Sequence, residues 1–186
     1  MKKYFPVLLL LTIVLFFVTD HLKVDTSKDH SHSEHDEHGD VDHSDPENIR
    51  RMAIFHFNEG NKLLQQKKWE DAAKNYHKAL NHNRELQEAY INLSSAYLGA
   101  KKYGEAFDTL ESLEKINPLA PLLHFNLACY YSLTENSPAS LRALEKAVEL
   151  GYKEFQEIQT DPDLENLRTT APFKAWFQSL EQTKDK

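Results

Sequence analysis

The sequence predicts an all-α protein in which a unit of two helices recurs three times between positions 53 and 154, with a period of about 34 residues. Polar breaks lie at the same offset in each unit, at residues 65–68, 99–102 and 133–136. Apolar residues recur at helical intervals on both sides of each break, which predicts two helices per unit. Five columns keep the register: Gly60, Ser94 and Ala128; Leu63, Tyr97 and Tyr131; Ala72, Ala106 and Ser140; Tyr76, Leu110 and Leu144; Ala79, Leu113 and Ala147.

The columns also sort by size. Small residues fill the columns that begin at Gly60 and Ala72, whereas large residues fill those that begin at Leu63 and Tyr76. Where two helices cross at about 8–10 Å, a small side chain lets the backbones approach and a large one on the partner fills the gap. The size pattern therefore predicts that the two helices of each unit pack against each other.

This pattern of small and large residues resembles the tetratricopeptide repeat (TPR), with units at 53–86, 87–120 and 121–154. The second unit fits best, whereas His56, Glu59 and His124 depart from the usual residues at their positions. The resemblance implies three helix pairs stacked as a short right-handed solenoid. It also implies that the first helix of each pair lines an inner, concave face.

Residues 1–19 read as an export segment, because Lys2 and Lys3 precede an uncharged apolar run at positions 4–19. The run is slightly shorter than the roughly 17–25 residues of a spanning helix, and no small-residue cleavage site follows it. We favour an uncleaved signal anchor over a cleaved signal peptide. The two lysines then place the rest of the chain outside the cytoplasm, and a bacterial periplasm is the expected compartment.

Residues 20–50 differ sharply in composition, with six histidines, ten acidic residues and three basic ones. The stretch has hardly any large apolar side chains and therefore cannot form a core. It is predicted to be a disordered linker. Five of its histidines could hold zinc, copper or nickel weakly and exchangeably: His30, His32, His35, His38 and His43. The alternative is a solvated acidic linker, and no tightly bound cofactor is expected.

The inner-face positions are where a partner should bind. They are Phe57, Asn58, Asn61, Leu64, Ile91, Asn92, Ser95, Leu98, Phe125, Asn126 and Cys129. Two ladders that step from unit to unit at the repeat period stand out, an apolar one from Phe57 and an amide one from Asn58. A row of asparagines can hydrogen-bond the main chain of an extended peptide, since each offers donors and an acceptor. Hydrogen bonds between helices of the array are the rival explanation.

A charged binding mode is not expected on this face. TPR domains that hold a C-terminal carboxylate resemble one another in using lysines and arginines, but here the corresponding positions are Phe57, Ile91 and Phe125. The groove therefore suits an apolar segment better than an acidic tail. No nucleic-acid partner is expected.

Nothing in the sequence predicts catalysis. His56 and His124 lie in a column that packing aromatics usually fill, so a structural role is favoured over acid–base work. Cys129 is the sole cysteine, which excludes an internal disulfide, and a buried inert thiol is its expected state. We find no nucleophile elbow, phosphate-binding glycine loop or zinc-enzyme motif.

Residues 155–186 are predicted to close the open end of the array. Gly151 should end the last repeat helix, and Asp161 before Pro162 should cap a new one. Phe173, Trp176 and Phe177 then begin an apolar stripe at helical spacing. A capping helix is the first interpretation, because a stacked array needs its end covered. A dimer surface is the second, and the oligomeric state is left open.

The sequence therefore predicts a membrane-tethered, non-enzymatic scaffold whose concave face binds a segment of another protein. The alternative is a metal-handling protein that captures zinc, copper or nickel through its histidine-rich linker. Zinc-dependent binding of a partner would favour the second function, and metal-indifferent binding the first.

Overall fold

A computed structural model describes residues 45–184, and within them the chain forms helices only, which confirms the predicted all-α class. The pairs of the three units are α1 and α2, α3 and α4, and α5 and α6. A closing segment, residues 150–184, follows them. The elements are α1 (Pro46–Gln65), α2 (Trp69–His82), α3 (Gln87–Gly99), α4 (Tyr103–Ile116), α5 (Pro121–Leu133), α6 (Ser137–Glu149), α7 (Phe155–Thr160), a 3-10 turn (Pro162–Leu164), α8 (Glu165–Arg168) and α9 (Ala171–Lys184).

The turn inside each pair repeats with the same backbone geometry. Lys67, Lys101 and Glu135 have φ angles of 58°, 59° and 61°, in the left-handed region. The amide after each of them donates to a carbonyl five residues earlier, as Lys68 N does to Leu63 O at 3.0 Å. This is the hydrogen bond that closes a helix C-terminus around a left-handed residue. Each first helix therefore ends at the same place in its unit.

The predicted columns form the contacts between helices. Every member of the columns that begin at Ala72, Tyr76 and Ala79 is 0 % exposed. At Gly60 an added Cβ would lie 2.6 Å from Cε1 of Tyr76, closer than side chains tolerate. In the third pair the Ser140 hydroxyl donates to the Ala128 carbonyl at 2.7 Å. Small residues thus set how closely the paired helices approach, as their pattern predicts.

Helix α1 begins earlier than the repeat pattern indicates. Asp45 accepts a hydrogen bond from the Glu47 amide at 3.1 Å, and Pro46 occupies the first turn. Both features favour a helix start, so residues 46–50, which the composition assigned to a disordered linker, are helical. The export segment and the histidines from His30 to His43 lie outside the described residues. Among the residues described, no helix is both long and apolar enough to cross a membrane.

The closing segment folds back onto the third pair. Gly151, with φ 106°, ends α6, and the Asp161 carboxylate accepts from the Asp163 amide at 2.8 Å, as predicted for a cap. The 3-10 turn and α8 then pack on α5, where the Asn166 side chain donates to the Ser132 carbonyl at 2.9 Å. Phe173 and Phe177 of α9 share a buried cluster with Leu144 of α6. The cluster covers the end of the array.

Candidate functional site

A groove of about 570 Å³ runs across the first helices of the three pairs. Its floor consists of residues from the C-terminal end of α1, from α3 and from α5, and the closing segment forms one end. The lining residues are Leu64, Gln65, Lys67, Trp69, Ile91, Asn92, Ser95, Leu98, Gly99, Leu122, Phe125, Asn126, Cys129, Glu157, Asp161, Pro162 and Asp163. The inner face is therefore concave, with a cavity large enough for several side chains of a bound segment.

Most of the inner-face residues named from the sequence line this groove. The structure brings together Leu64, Ile91, Asn92, Ser95, Leu98, Phe125, Asn126 and Cys129. Three others do not line it: Phe57 packs against Tyr76 with ring centroids 6.0 Å apart, Asn61 bonds to neighbouring helices, and Asn58 is exposed. The first unit thus contributes the end of its helix rather than its middle.

Within the amide ladder, Asn92 and Asn126 both hydrogen-bond other helices. The Asn126 amide nitrogen, on a side chain that is 5 % exposed, lies 3.1 Å from the Ile91 carbonyl and 2.9 Å and 3.1 Å from the hydroxyls of Ser94 and Ser95. The Asn92 amide nitrogen donates to the Asn61 side-chain oxygen at 2.8 Å. These are the hydrogen bonds between helices that the sequence left open as the rival explanation of the ladder. Contact of the amides with a bound peptide stays a prediction.

The first unit anchors this network through Tyr76. The Tyr76 hydroxyl donates to the same Asn61 oxygen at 2.8 Å, and burial raises the pKa of Tyr76 to about 12. The tyrosine therefore remains a neutral donor at physiological pH. One oxygen of Asn61 joins the second helix of the first unit to the first helix of the second unit.

Replacing Asn126 by alanine should lower the free energy of unfolding by about 1–3 kcal/mol, because the Ile91 carbonyl and two serine hydroxyls lose a buried donor. Asn58→Ala is the matched control, since Asn58 holds the equivalent place but is exposed. That change should stay within about 0.5 kcal/mol. Denaturant titrations followed by circular dichroism measure both. Equal, small losses for the two variants would show that the ladder is not structural.

Part of the apolar ladder is buried within the fold. Phe125 is 4 % exposed and stacks on Tyr152 at a centroid distance of 4.5 Å, so the closing segment covers it. Leu98 is 4 % exposed as well. Ile91 is half-buried, and Leu122 remains 43 % exposed at the groove. The accessible apolar surface is therefore narrower than the sequence predicts, and it lies on α3 and the start of α5.

Three carboxylates stand at the third-unit end of the groove, and sequence reasoning did not assign them to it. They belong to Glu157, Asp161 and Asp163. The Sγ of Cys129 and carboxylate oxygens of Asp161 and Asp163 all lie within 4.8 Å of one another. Burial raises the pKa of Asp161, and burial together with the Asp161 charge raises the pKa of Asp163 to about 6. Burial and the same acids raise the pKa of Cys129, so its thiol stays protonated.

The pH dependence of stability should reveal the Asp163 carboxyl. Its folded-state pKa of about 6 lies above the ordinary value of 3.8, so the protonated form is favoured in the folded state. This contribution to stability is complete below pH 3.8, the ordinary value, and is lost as the pH rises through about 6. Asp163→Asn should therefore raise Tm relative to the natural chain at pH 7–8, whereas the two should converge near pH 4.

Asp71→Asn controls for the general effect of losing one carboxylate. Lys74 donates to Asp71 at 2.8 Å and holds the pKa of that exposed carboxyl below its usual range, so its removal should bring no gain at neutral pH. If the Tm of Asp163→Asn equalled that of the natural chain at every pH, the raised pKa of the Asp163 carboxyl would be contradicted.

The histidines of the described residues make structural contacts. The ring of His124 lies with Nε2 2.8 Å from the Pro118 carbonyl, and the ring of His56 stacks on that of His82 at 5.7 Å. His77, which is exposed, has its Nε2 2.6 Å from the Tyr97 hydroxyl. Each of these contacts suits packing. Among the residues described, Cys129, Asp161 and Asp163 form the group of three side chains spaced closely enough to share a metal ion.

Comparison with known proteins finds similarity in part of the repeat region. Residues 63–127 match the sequence profile of the tetratricopeptide repeat. A chloroplast protein of Arabidopsis thaliana is 36% identical over 85 residues, which cover 44% of this chain and 25% of that protein. The chain thus spans about a quarter of the length of this curated relative.

Solved TPR domains have the same fold. The first TPR of Spaghetti (RPAP3), bound to an HSP90 peptide, superposes with a TM-score of 0.53 at 15% identity, covering 74% of this chain and 96% of that one. The Arabidopsis OM64 TPR domain gives a TM-score of 0.56 at 16% identity, covering 65% and 98%. Identities this low show the likeness of fold alone.

Proposed function

We propose that this protein is a non-enzymatic scaffold that binds a short segment of a partner protein in the groove on its concave face. The observation that carries the proposal is the groove itself, an open cavity of about 570 Å³ that the closing segment leaves free beside α3 and α5. Clefts of this size hold bound ligands in many proteins. The Spaghetti TPR domain, of similar fold, holds an HSP90 peptide, which supports a peptide as the ligand here.

The chemistry of the groove favours an apolar segment. Leu122, exposed at 43 %, and the half-buried Ile91 offer apolar surface that a bound side chain would cover. Burying a leucine-sized side chain contributes about 1.5–3 kcal/mol. Lys67 is the single basic residue among those that line the groove, so a terminal carboxylate would meet no cluster of cations.

Leu122→Gln should weaken binding while leaving the fold intact, since Leu122 is exposed and lies at the groove. Leu119→Gln is the matched control, because Leu119 is a neighbouring leucine that is 64 % exposed and does not line the groove. Short random peptides displayed on phage would be selected against the full chain in detergent. Binders should lose roughly tenfold or more in affinity with Leu122→Gln and nothing with Leu119→Gln.

Circular dichroism should show unchanged helix content in both variants. A selection that yields no binders, or binders that tolerate Leu122→Gln, would contradict the proposed groove.

The location of the domain is part of the same proposal. The basic start and the apolar run at 4–19 support a membrane anchor with the repeats outside the cytoplasm. A phosphatase that is active only outside the cytoplasm, fused after Lys186, tests this. An inactive fusion present at normal levels would place the repeats on the other side.

Metal handling by the histidine-rich stretch is a second candidate function. The observation that favours it is the close spacing of His30, His32, His35 and His38 among carboxylates. Isothermal titration of the peptide 21–47 with zinc at neutral pH tests it. Absence of heat at micromolar zinc would remove this function.

A further inference from the structure

Charge is distributed unevenly along the groove. Four of its lining residues carry charge, and Lys67 stands at the turn of the first unit. The others, Glu157, Asp161 and Asp163, belong to the closing segment that packs on the third unit. The two ends therefore differ in sign, and the third-unit end carries the larger charge.

No cation within the described residues pairs with the three carboxylates. Tyr152 donates its hydroxyl to Glu157, and the Asp163 amide donates to Asp161 at 2.8 Å. The charge of Arg168 acts on Asp161, opposing the rise in its pKa, but the Arg168 side chain donates to the main-chain carbonyl of Asp161 rather than to a carboxylate. The ion pairs within the described residues lie on the outer surface, at Lys62–Glu59, Lys74–Asp71 and Lys146–Glu149. The hydrogen bonds that the Glu157 and Asp161 carboxylates accept thus come from neutral donors, and none of these ion pairs includes the three acids.

The floor of this end is apolar and buried. Cys129 is 2 % exposed, and its protonated thiol lies within 4.8 Å of the nearest carboxylate oxygens of Asp161 and Asp163. Phe125 and Tyr152 stack beside it. Partial removal from water weakens the screening of a charge, so a cation that reached these carboxylates would be held more strongly than one on an open surface.

We propose that the groove selects a partner segment in which a lysine or arginine lies three or four residues from an apolar residue. The apolar side chain lies against Ile91 and Leu122, and the cation lies between the carboxylates of Glu157, Asp161 and Asp163. This inference rests on the peptide-binding function proposed above. Lys67 repels a second cation at the other end, so the single acidic end sets the register of the bound segment.

The apolar and acidic parts of the groove lie side by side on the same helix. Leu122 is in the first turn of α5, and Cys129, on the floor of the acidic end, lies two turns later. A span of two helical turns is about 11 Å, which three or four extended residues cover. An acidic segment, in contrast, would place like charges together, and the repulsion would exclude it.

The test compares two chains with the same net charge. In the first, Glu157→Gln, Asp161→Asn and Asp163→Asn remove the groove charges but keep groups that can accept the bonds from Tyr152 and from the Asp163 amide. In the second, Asp108→Asn, Glu111→Gln and Glu114→Gln remove three exposed charges of α4 that lie outside the groove. The probe is a selected peptide with one lysine and its counterpart with norleucine in place of that lysine.

We expect the groove variant to bind the lysine peptide about tenfold more weakly than the natural chain, and the α4 variant to bind it unchanged. The norleucine peptide should bind both variants and the natural chain alike, at the weaker level. Added salt should weaken binding of the lysine peptide to the natural chain and have little effect in the groove variant.

Other results separate this inference from the function on which it rests. One such result would be selected peptides that depend on Leu122 but are not enriched in lysine or arginine and bind the groove variant with undiminished affinity. That result would contradict the proposed cation and leave the proposed peptide-binding groove standing. A second result would be displacement of the lysine peptide by micromolar zinc, together with loss of zinc affinity in the groove variant. It would show that the acidic end binds a metal ion, and it would also contradict the inference. A natural chain that binds no peptide would remove both proposals.

Discussion

Replacing Phe173 by alanine should lower the free energy of unfolding by about 3–5 kcal/mol, the largest loss we expect from a single change. The side chain is 5 % exposed and stacks on Phe177 at 5.6 Å, in the cluster that joins α9 to Leu144 of α6. Its removal leaves a cavity in the buried cluster that covers the third pair. Thermal melting should show Tm lower by roughly 10 °C.

Lys174→Ala is the control, because the neighbouring lysine is exposed on the same helix. It should leave Tm within a degree or two. Amide hydrogen exchange would show where the loss acts: protection should fall in α5 to α9 and hold in α1 and α2, since an array loses stability from its uncovered end. An unchanged Tm together with a lighter mass in solution would instead make this surface a dimer contact.

Gly60→Ala should cost about 1–3 kcal/mol, even though alanine favours a helix by about 1 kcal/mol over glycine. The new Cβ would lie 2.6 Å from Cε1 and 2.8 Å from Cδ1 of Tyr76. The ring is 0 % exposed, and its hydroxyl is bonded to Asn61, so it cannot swing away. Because Asn61 also accepts from Asn92, the strain should reach the contact between the first two units.

Gly104→Ala is the matched control, since a Cβ at position 104 meets no heavy atom within 4 Å. That variant should be as stable as the natural chain or more stable, by up to about 1 kcal/mol. Urea titrations of the two variants make the comparison. If Gly60→Ala were as stable as Gly104→Ala, the close approach of α1 and α2 would not limit this position.

The closing segment supplies one end of the candidate site as well as the cap. Glu157, Asp161 and Asp163 reach the groove from the stretch that also buries Ile158 and Leu164 in the core. Loss of the cap and loss of the acidic end are therefore separable only by changes that keep the helices intact. The isosteric substitutions at the three acids meet that need, whereas a truncation after Gly151 would not.

The hydrogen bonds of Asn92 and Asn126 could not be predicted from the repeat pattern. The asparagines at 92 and 126 are identical in the repeat, yet Asn126 donates to Ser94 and Ser95 and Asn92 to Asn61. Their partners lie on the preceding unit, where the residues differ. The pattern therefore predicted the position of each amide on the inner face, but the neighbouring helix decided its bonds.

The sequence by itself determined the helix pairs, the turns and the packing columns, because helical periodicity and the fit of small against large side chains are local and recur in every unit. The tertiary structure alone decided which inner-face residues pack against other parts of the chain and which stay accessible in the groove. Phe125 meets Tyr152, and Ser132 meets Asn166, through contacts that occur once and have no period. A chain segment that folds back onto an array is placed by its burial against that array, and so the acidic end of the groove could be located only in three dimensions.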